Sequence, residues 1–66
     1  MRIRINGQDR DLPGETTLEG LLASLELPGG RVAVERNGEI VTRADYEATV
    51  LAEGDRLEIV QFVGGG

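Results

Sequence analysis

The chain begins with a strict alternation of charged and apolar residues, which places Ile3 and Ile5 on one face of a predicted strand over residues 1–5. Asn6-Gly7 follows and is a strong signal for a two-residue hairpin. Residues 8–12 then form the predicted return strand, which Pro13-Gly14 closes. The first segment is therefore predicted to be a β-hairpin with one buried face.

The next segment changes its period from two residues to that of a helix. Its four leucines recur at i, i+3, i+4 and i+7 and predict one apolar stripe that packs against a sheet. They are Leu18, Leu21, Leu22 and Leu25. Thr16 is the predicted helix cap, with Glu19 three residues later completing a capping box. Pro28-Gly29-Gly30 is predicted to end the helix.

Strand patterns return after the helix, over residues 31–36, 39–41 and 57–60, and a second Asn-Gly pair lies at 37–38. The segment 42–51 is ambiguous, although Thr42 with Asp45 favours a short helical turn and Tyr46 is placed over the core. The element order β-β-α-β-β-turn-β predicts an α+β domain, with a mixed sheet of about five strands and one main helix on one face. A compact arrangement places the first and last strands side by side at the sheet centre.

Composition narrows the function classes. The chain has 66 residues, no cysteine and no histidine, which argues against disulfides, thiolate chemistry and the usual general base at neutral pH. The chain has twelve acidic residues and seven basic ones, all arginine, which gives a formal charge of −5. Neither nucleic acid nor an anionic membrane is therefore an expected partner. We expect a cytoplasmic protein with no metal site, no permanently bound cofactor and no catalytic residues of its own.

The glycine tail is the remaining candidate for chemistry. Gly64, Gly65 and Gly66 follow the hydrophobic end of the last strand and lie at the end of the sequence. Residues without a Cβ atom fit a narrow channel and adopt any backbone conformation there. The alternative is that these glycines are a frayed chain end without a chemical role. We predict a domain over residues 1–63 and a flexible tail over 64–66 that threads a partner's active site.

A docking surface is predicted from the alternation in the last strand. Since Leu57 and Ile59 point towards the helix, Glu58, Val60 and Phe62 point to the opposite face. Alternation in the neighbouring strands adds Arg2, Arg4 and Ala33 to that face. Phe62 beside the tail is the predicted interface anchor. The alternative is that Phe62 folds over a sheet edge and is half-buried.

Residues 32–66 resemble the ThiS family, the sulfur carrier proteins of bacterial thiamine biosynthesis. The resemblance rests on Asn37-Gly38-Glu39-Ile40-Val41, on the turn Gly54-Asp55-Arg56, and on the end Phe62-Val63-Gly64-Gly65-Gly66. The first hairpin and the leucine-rich helix fit as well, so the resemblance covers essentially the whole chain. It implies the β-grasp (ubiquitin-like) fold.

The resemblance also implies a reaction sequence. An E1-like adenylyltransferase (ThiF) would adenylate Gly66 with ATP and magnesium. Sulfur from cysteine, supplied through a cysteine desulfurase, would convert the adenylate to a thiocarboxylate. Thiazole synthase (ThiG) would accept that sulfur, and the protein would be a co-substrate and not an enzyme. Three alternatives stay open: a carrier for molybdopterin synthesis or tRNA thiolation, a protein modifier that conjugates to lysines, and a plain β-grasp interaction module.

Overall fold

The computed structural model describes residues 1–27 and 31–62. Five strands and one α-helix make up this part of the chain. In chain order they are β1 (Arg2–Ile5), β2 (Gln8–Asp11), α1 (Leu18–Ser24), β3 (Val32–Arg36), β4 (Glu39–Val41) and β5 (Arg56–Gln61), with a 3-10 turn at Arg43–Asp45 before β5. The predicted elements are therefore all present, with ends that shift by one residue or a few.

The five strands form one mixed sheet in the order β2-β1-β5-β3-β4. β5 lies parallel to β1 and antiparallel to β3, while each Asn-Gly hairpin pairs its own two strands antiparallel. The first and last strands are thus neighbours at the centre of the sheet, as predicted. With α1 on one face, this is the β-grasp arrangement, and the predicted fold class is confirmed.

The core lies between α1 and the inner face of the sheet. Its eleven buried residues are Ile3, Ile5, Leu18, Leu21, Leu22, Val32, Val34, Tyr46, Leu51, Leu57 and Ile59. Each large aliphatic side chain buried here contributes about 1.5–3 kcal/mol. Tyr46 covers the core as predicted, and its hydroxyl donates to the Val32 carbonyl at 3.4 Å.

The start of α1 differs from the prediction. Thr17, not Thr16, is the N-cap, and its Oγ1 accepts a hydrogen bond from the Gly20 N–H at 3.0 Å. Thr16 instead donates its hydroxyl proton to the Pro13 carbonyl at 2.7 Å. The predicted capping box is therefore wrong, because the third residue after the true cap is Gly20 and not Glu19. A Cβ atom at Gly20 would lie 3.3 Å from the capping oxygen, so glycine leaves room for the cap.

The end of α1 and the segment before β5 also have specific geometry. The helix ends at Ser24 with Leu25 as its C-cap, and Glu26 has a positive φ of 59°. Thr42 donates its hydroxyl proton to the Asp45 carboxylate at 3.1 Å, which holds the 3-10 turn. No helix in residues 1–27 and 31–62 is long and apolar enough to cross a membrane.

Candidate functional site

β5 is the element that leads to the glycine tail. Strands pair with it on both sides, so its backbone is held at the centre of the sheet. Leu57 and Ile59 are buried under the helix, as the alternation predicted. The Phe62 N–H donates to the Arg31 carbonyl at 2.8 Å, which continues the antiparallel pairing of β3 with β5 beyond the end of β5. The tail residues Gly64, Gly65 and Gly66 lie outside the described residues, as does Val63. Residues 28–30 lie outside them too, but their predicted role as the helix stop is wrong, because α1 already ends at Ser24.

An apolar patch lies on the outer face of the sheet, opposite α1. Val60 and Phe62 are 56% and 59% exposed, so Phe62 is not folded over an edge. Ala33 lies directly across from Val60 in the register of β3 and β5 and is also exposed. Ile40 completes the patch because it lies across from Glu35, which shares the outer face with Ala33. The apolar patch is defined here as Ala33, Ile40, Val60 and Phe62.

Ile40 was absent from the predicted docking residues, although it is 76% exposed. Its strand contains only three residues, too few for a periodicity to show which face each side chain takes. The available signal was indirect: a two-residue Asn-Gly turn places residue 39 opposite residue 36, and therefore residue 40 opposite residue 35. Register counted from the turn would have identified it.

The predicted arginines lie on the outer face, but away from the apolar patch. Arg4 is level with Arg56 at the beginning of β5, and the Gly54 N–H donates to the Arg2 carbonyl. Both side chains turn towards β2, where Arg2 pairs with Asp11 and Arg4 with Asp9, each at 3.1 Å. The hydrogen bond and the charge of Arg2 lower the pKa of Asp11 below its ordinary value. Arg2 and Arg4 thus do not border Val60 and Phe62 as the prediction placed them.

Glu58 is exposed on the outer face, as predicted, and lies directly opposite Glu35 of β3. Together with Ala33, Ile40 and Val60, the two glutamates line a shallow depression of about 100 Å³. No ion pair among the described residues includes either glutamate. In this part of the chain, two carboxylates without an ion pair thus border an apolar surface on β3, β4 and β5.

The two hairpin asparagines hold β5 from opposite sides, a role that sequence reasoning missed. The Asn6 amide donates to the Ile59 carbonyl at 3.0 Å and accepts from the Ile59 N–H at 2.8 Å. The Asn37 side chain accepts from the Arg56 N–H at 2.9 Å. Both asparagines have positive φ values, near 50°, which a tight hairpin of this kind requires. Their side chains therefore serve the turn and the central strand together.

A buried carboxylate fixes the beginning of β5. Asp55 is 5% exposed and accepts hydrogen bonds from the Arg36 guanidinium at 2.9 Å, the Asn37 amide at 3.0 Å and the Ala52 N–H at 2.8 Å. Burial works to raise the pKa of Asp55, but the hydrogen bonds from Ala52, Asn37 and Arg36 and the charge of Arg36 together lower it. Because this group is fully hydrogen-bonded inside the fold, its geometry suits a structural role.

Metal chemistry has no obvious support in the described residues. Within residues 1–27 and 31–62, no group of three or more histidine, cysteine, aspartate or glutamate side chains is placed to hold a metal ion. The features that point to function are therefore the outer face and the strand that leads to residues 63–66.

Comparisons with known proteins agree with the fold of this chain. The model of the ThiS family matches residues 3–66 of the chain. The chain is 43% identical over 65 residues to the sulfur carrier protein ThiS of Bacillus subtilis, and the match covers 97% of this chain and 98% of that protein. The crystal structure of the thiamine biosynthesis protein ThiS from Geobacter metallireducens superimposes with a TM-score of 0.80 at 33% identity, covering 100% of both chains.

A third relative is much longer than this chain. The chain is 48% identical over 66 residues to a thiazole synthase from Magnetococcus marinus, a match that covers 100% of this chain and 20% of that protein. The chain therefore spans about a fifth of that synthase and nearly the full length of the Bacillus subtilis protein.

Proposed function

The chain belongs to the ThiS family, and we propose that it is a sulfur carrier protein of thiamine biosynthesis whose Gly66 bears the sulfur. The observation that carries this proposal is the family match, which runs through residue 66 and so includes the glycine tail. The role is that of a co-substrate, charged by one enzyme and discharged by another. The β-grasp domain supplies the recognition surface, and the tail supplies the reacting carboxylate.

The proposed chemistry begins with a poor electrophile. A carboxylate reacts with a sulfur nucleophile only after it is activated, and adenylation at the expense of ATP and magnesium makes AMP the leaving group. The terminal sulfur of a persulfide that the desulfurase forms from cysteine then attacks the adenylate and expels AMP, and a thiol cleaves the resulting acyl disulfide, which leaves the thiocarboxylate on Gly66 and the donor sulfur as a disulfide. Three glycines extend roughly 10 Å and carry no side chains, so they reach into an enclosed active site. We propose an E1-like adenylyltransferase as the activating partner and a cysteine desulfurase as the source of sulfur.

The proposed acceptor is thiazole synthase. Supporting this choice, a stretch similar to the whole of this chain occurs within the longer thiazole synthase of Magnetococcus marinus. The presence of both sequences in one polypeptide supports a partnership between the carrier and the synthase. The same partnership between separate chains requires a docking surface.

We propose that the apolar patch is the centre of this docking surface. Large apolar side chains are more than half exposed at Val60, Phe62 and Ile40, and interface anchors are typically such residues, aromatic ones above all. Val60 of the patch belongs to β5, the strand that precedes the tail in the sequence, and we propose that residues 64–66 enter the active site of the partner that binds the patch. Glu58 belongs to the edge of this surface, whereas Arg2 and Arg4 bond to β2 and lie further away.

The first experiment locates the reacting atom. The protein is incubated with the adenylyltransferase, ATP, magnesium and a sulfur donor, and its intact mass is then measured. We expect the gain of one oxygen-to-sulfur exchange, located by fragmentation in the terminal peptide at Gly66. A variant lacking Gly65 and Gly66 should keep its melting temperature and lose the modification. Modification elsewhere, or an active carrier with one residue added after Gly66, would contradict the proposal.

A second experiment tests the apolar patch. Phe62→Ala should leave the melting temperature nearly unchanged and weaken binding to both the adenylyltransferase and thiazole synthase by about 1–3 kcal/mol, since it removes an exposed anchor. Val50→Ala is the matched control, because Val50 is 53% exposed but lies outside the apolar patch. Titration calorimetry measures both affinities. Unchanged binding of Phe62→Ala to both partners would place recognition elsewhere on the domain.

A further inference from the structure

The asparagine of the first hairpin extends the sheet by one step with its side chain. β1 ends at Ile5, opposite Leu57, and the Asn6 N–H then donates to the Leu57 carbonyl at 2.9 Å. Because the chain turns at Asn6-Gly7, β1 itself does not pair with Ile59. The Asn6 side-chain amide takes its place, since it donates to the Ile59 carbonyl at 3.0 Å and accepts from the Ile59 N–H at 2.8 Å. One side chain therefore supplies both of the hydrogen bonds that a neighbouring strand would make there.

Ile59 is the last residue at which β5 is held from the β1 side. In the part of the chain that the structure describes, β3 alone pairs with β5 beyond Ile59, and its pairing runs on to the bond between Phe62 and Arg31. A depression of about 320 Å³ lies beside this segment, with Asn6 and Gln61 among the residues that line it. Without the Asn6 side chain, residues 59–62 would be held along one edge only.

The end of β5 is also where the apolar patch meets the sequence of the tail. Ile59 is buried at 8% exposure, while Val60 and Phe62 are 56% and 59% exposed on the opposite face. Phe62 is four residues before Gly66. The two bonds from Asn6 therefore act on the residue directly before Val60. They fix the path of the strand both for the patch and for the chain that follows it.

The asparagine of the second hairpin provides a comparison within the same molecule. Asn37 has a φ of 52° in its own Asn-Gly turn, against 50° for Asn6. Its side chain accepts from the Arg56 N–H at 2.9 Å and donates to the Asp55 carboxylate at 3.0 Å. Arg56 is the first residue of β5, whereas Ile59 lies in its second half. The two side chains thus hold different ends of one strand, and only the end held by Asn6 continues into the tail.

We propose that Asn6 is a positioning residue for sulfur loading. By bonding both backbone groups of Ile59, it holds residues 59–62 in the extended path that presents the apolar patch to the adenylyltransferase. This rests on the proposed function, since it names a residue that prepares the same carrier for the same reaction. A segment that is already ordered binds without the entropic cost of ordering it during association. The Asn6 side chain therefore acts on the affinity of the carrier and not on the chemical step.

The kinetics of thiocarboxylate formation test this role, with the carrier as the varied substrate and ATP, magnesium and the sulfur donor saturating. Asn6→Gly removes both bonds to Ile59 and keeps a residue that readily adopts positive φ. We expect its KM to rise about five- to thirtyfold, the factor for ordering one backbone residue on binding, with kcat unchanged. Asn37→Gly is the matched control, because it loses side-chain bonds at the other end of β5 and should keep the KM of the unaltered protein. Circular dichroism gives the folded concentration of each variant.

A second variant keeps the test decisive if Asn6→Gly does not fold. Asn6→Asp retains the acceptor for the Ile59 N–H and tolerates positive φ, but it loses the donor to the Ile59 carbonyl. Its KM should also rise at unchanged kcat. Gln8→Glu controls for the added charge, since Gln8 is exposed nearby on β2, and its KM should not change.

The possible outcomes separate this role from a purely structural one. A rise in KM that is confined to the Asn6 variants supports the proposal. An unchanged KM in both Asn6 variants, an equal rise in Asn37→Gly, or a fall in kcat without a rise in KM would overturn it. Failure of the sulfur-carrier proposal would appear separately, as absence of the thiocarboxylate from the unaltered protein at saturating enzyme.

Discussion

The two Asn-Gly hairpins begin from the same turn signal and end with different surfaces. The β1–β2 hairpin pairs Arg2 with Asp11 and Arg4 with Asp9, and every residue of β2 is exposed. The β3–β4 hairpin sends Val32 and Val34 into the core. Ala33, Glu35 and Ile40 are exposed on its outer face, and no ion pair within residues 1–27 and 31–62 includes Glu35. The first hairpin thus forms two ion pairs within itself, whereas the second exposes Ala33 and Ile40 of the apolar patch.

Burial decides how much the polar contacts of each hairpin contribute. The Arg36–Asp55 pair joins the second hairpin to the beginning of β5, and the Asp55 side chain is only 7% exposed. The side chains of the Arg2–Asp11 pair are 63% and 75% exposed. Exposed pairs are screened by water and contribute little, whereas removing one member of a buried pair leaves an uncompensated charge. The second hairpin should therefore tolerate polar substitutions far less well than the first.

Of the substitutions that test this comparison, Asp55→Ala is expected to lower the stability of the fold most. It leaves the Arg36 guanidinium, the Asn37 amide and the Ala52 N–H without their shared acceptor, which should destabilise the fold by about 3–5 kcal/mol. Urea denaturation followed by circular dichroism measures the change. Asp11→Ala is the matched control on the first hairpin and should leave the midpoint nearly unchanged. Equal losses in the two variants would remove the distinction between the hairpins.

The asparagines give a second, smaller effect. Asn6→Gly and Asn37→Gly keep a residue that readily adopts positive φ, so they remove the side-chain hydrogen bonds and retain the turn. Each should destabilise the protein by about 1–3 kcal/mol, because a partly buried group loses a hydrogen-bond partner. Asn6→Gly removes the acceptor of the Ile59 N–H, and Asn37→Gly removes one donor to the Asp55 carboxylate. Hydrogen exchange gives the local readout. Asn6→Gly should accelerate exchange at the Ile59 amide, and Asn37→Gly at the Arg56 amide; the reverse pattern would contradict these roles.

Acid should weaken the contact that Asp55 makes between the second hairpin and β5. The pKa of Asp55 is lower in the folded protein than its ordinary value of 3.8, so the carboxylate stabilises the fold above about pH 4. That stabilisation is lost as pH falls through the folded pKa. Denaturation midpoints measured between about pH 6 and about pH 2 should fall less steeply for Asp55→Asn than for the unaltered protein. If the midpoints of the two proteins fall equally with pH, Asp55 does not contribute to the loss of stability in acid.

The smallest effect is expected on the first hairpin's outer face. Asp9→Asn combined with Asp11→Asn removes both exposed ion pairs, and the melting temperature should shift only slightly because water screens these charges. Melting curves at low and high salt measure it. The difference from the unaltered protein should disappear at high salt, where surface charges are screened. A large loss that persists at high salt would show that the two hairpins are energetically alike.

Local sequence patterns were sufficient to predict the helix and the strands, and also most of the residues on the outer face of the sheet. Alternation identified Ile3, Ile5, Leu57 and Ile59 as inward, and it also placed Val60 and Phe62 outward. The predicted cap of α1 was wrong by one residue. Threonine is a common capping residue at either position, and only the path of the chain before the helix decides whether Thr16 or Thr17 is the cap. Ile40 was missed because β4 is too short for a period. The tail residues Gly64–Gly66 remain a prediction from sequence and family.

Properties of single residues and their near neighbours were determined by the sequence itself. Alternation, leucine spacing and Asn-Gly turns act within a few residues of the chain, so their outcome depends little on the rest of the fold. The tertiary structure alone decided which distant residues meet. Asn6 bonds to Ile59 across 53 positions, Glu35 faces Glu58, and Arg36 reaches Asp55. These pairings join strands and turns that are distant in the sequence, so their register depends on how the whole core packs and not on a local pattern.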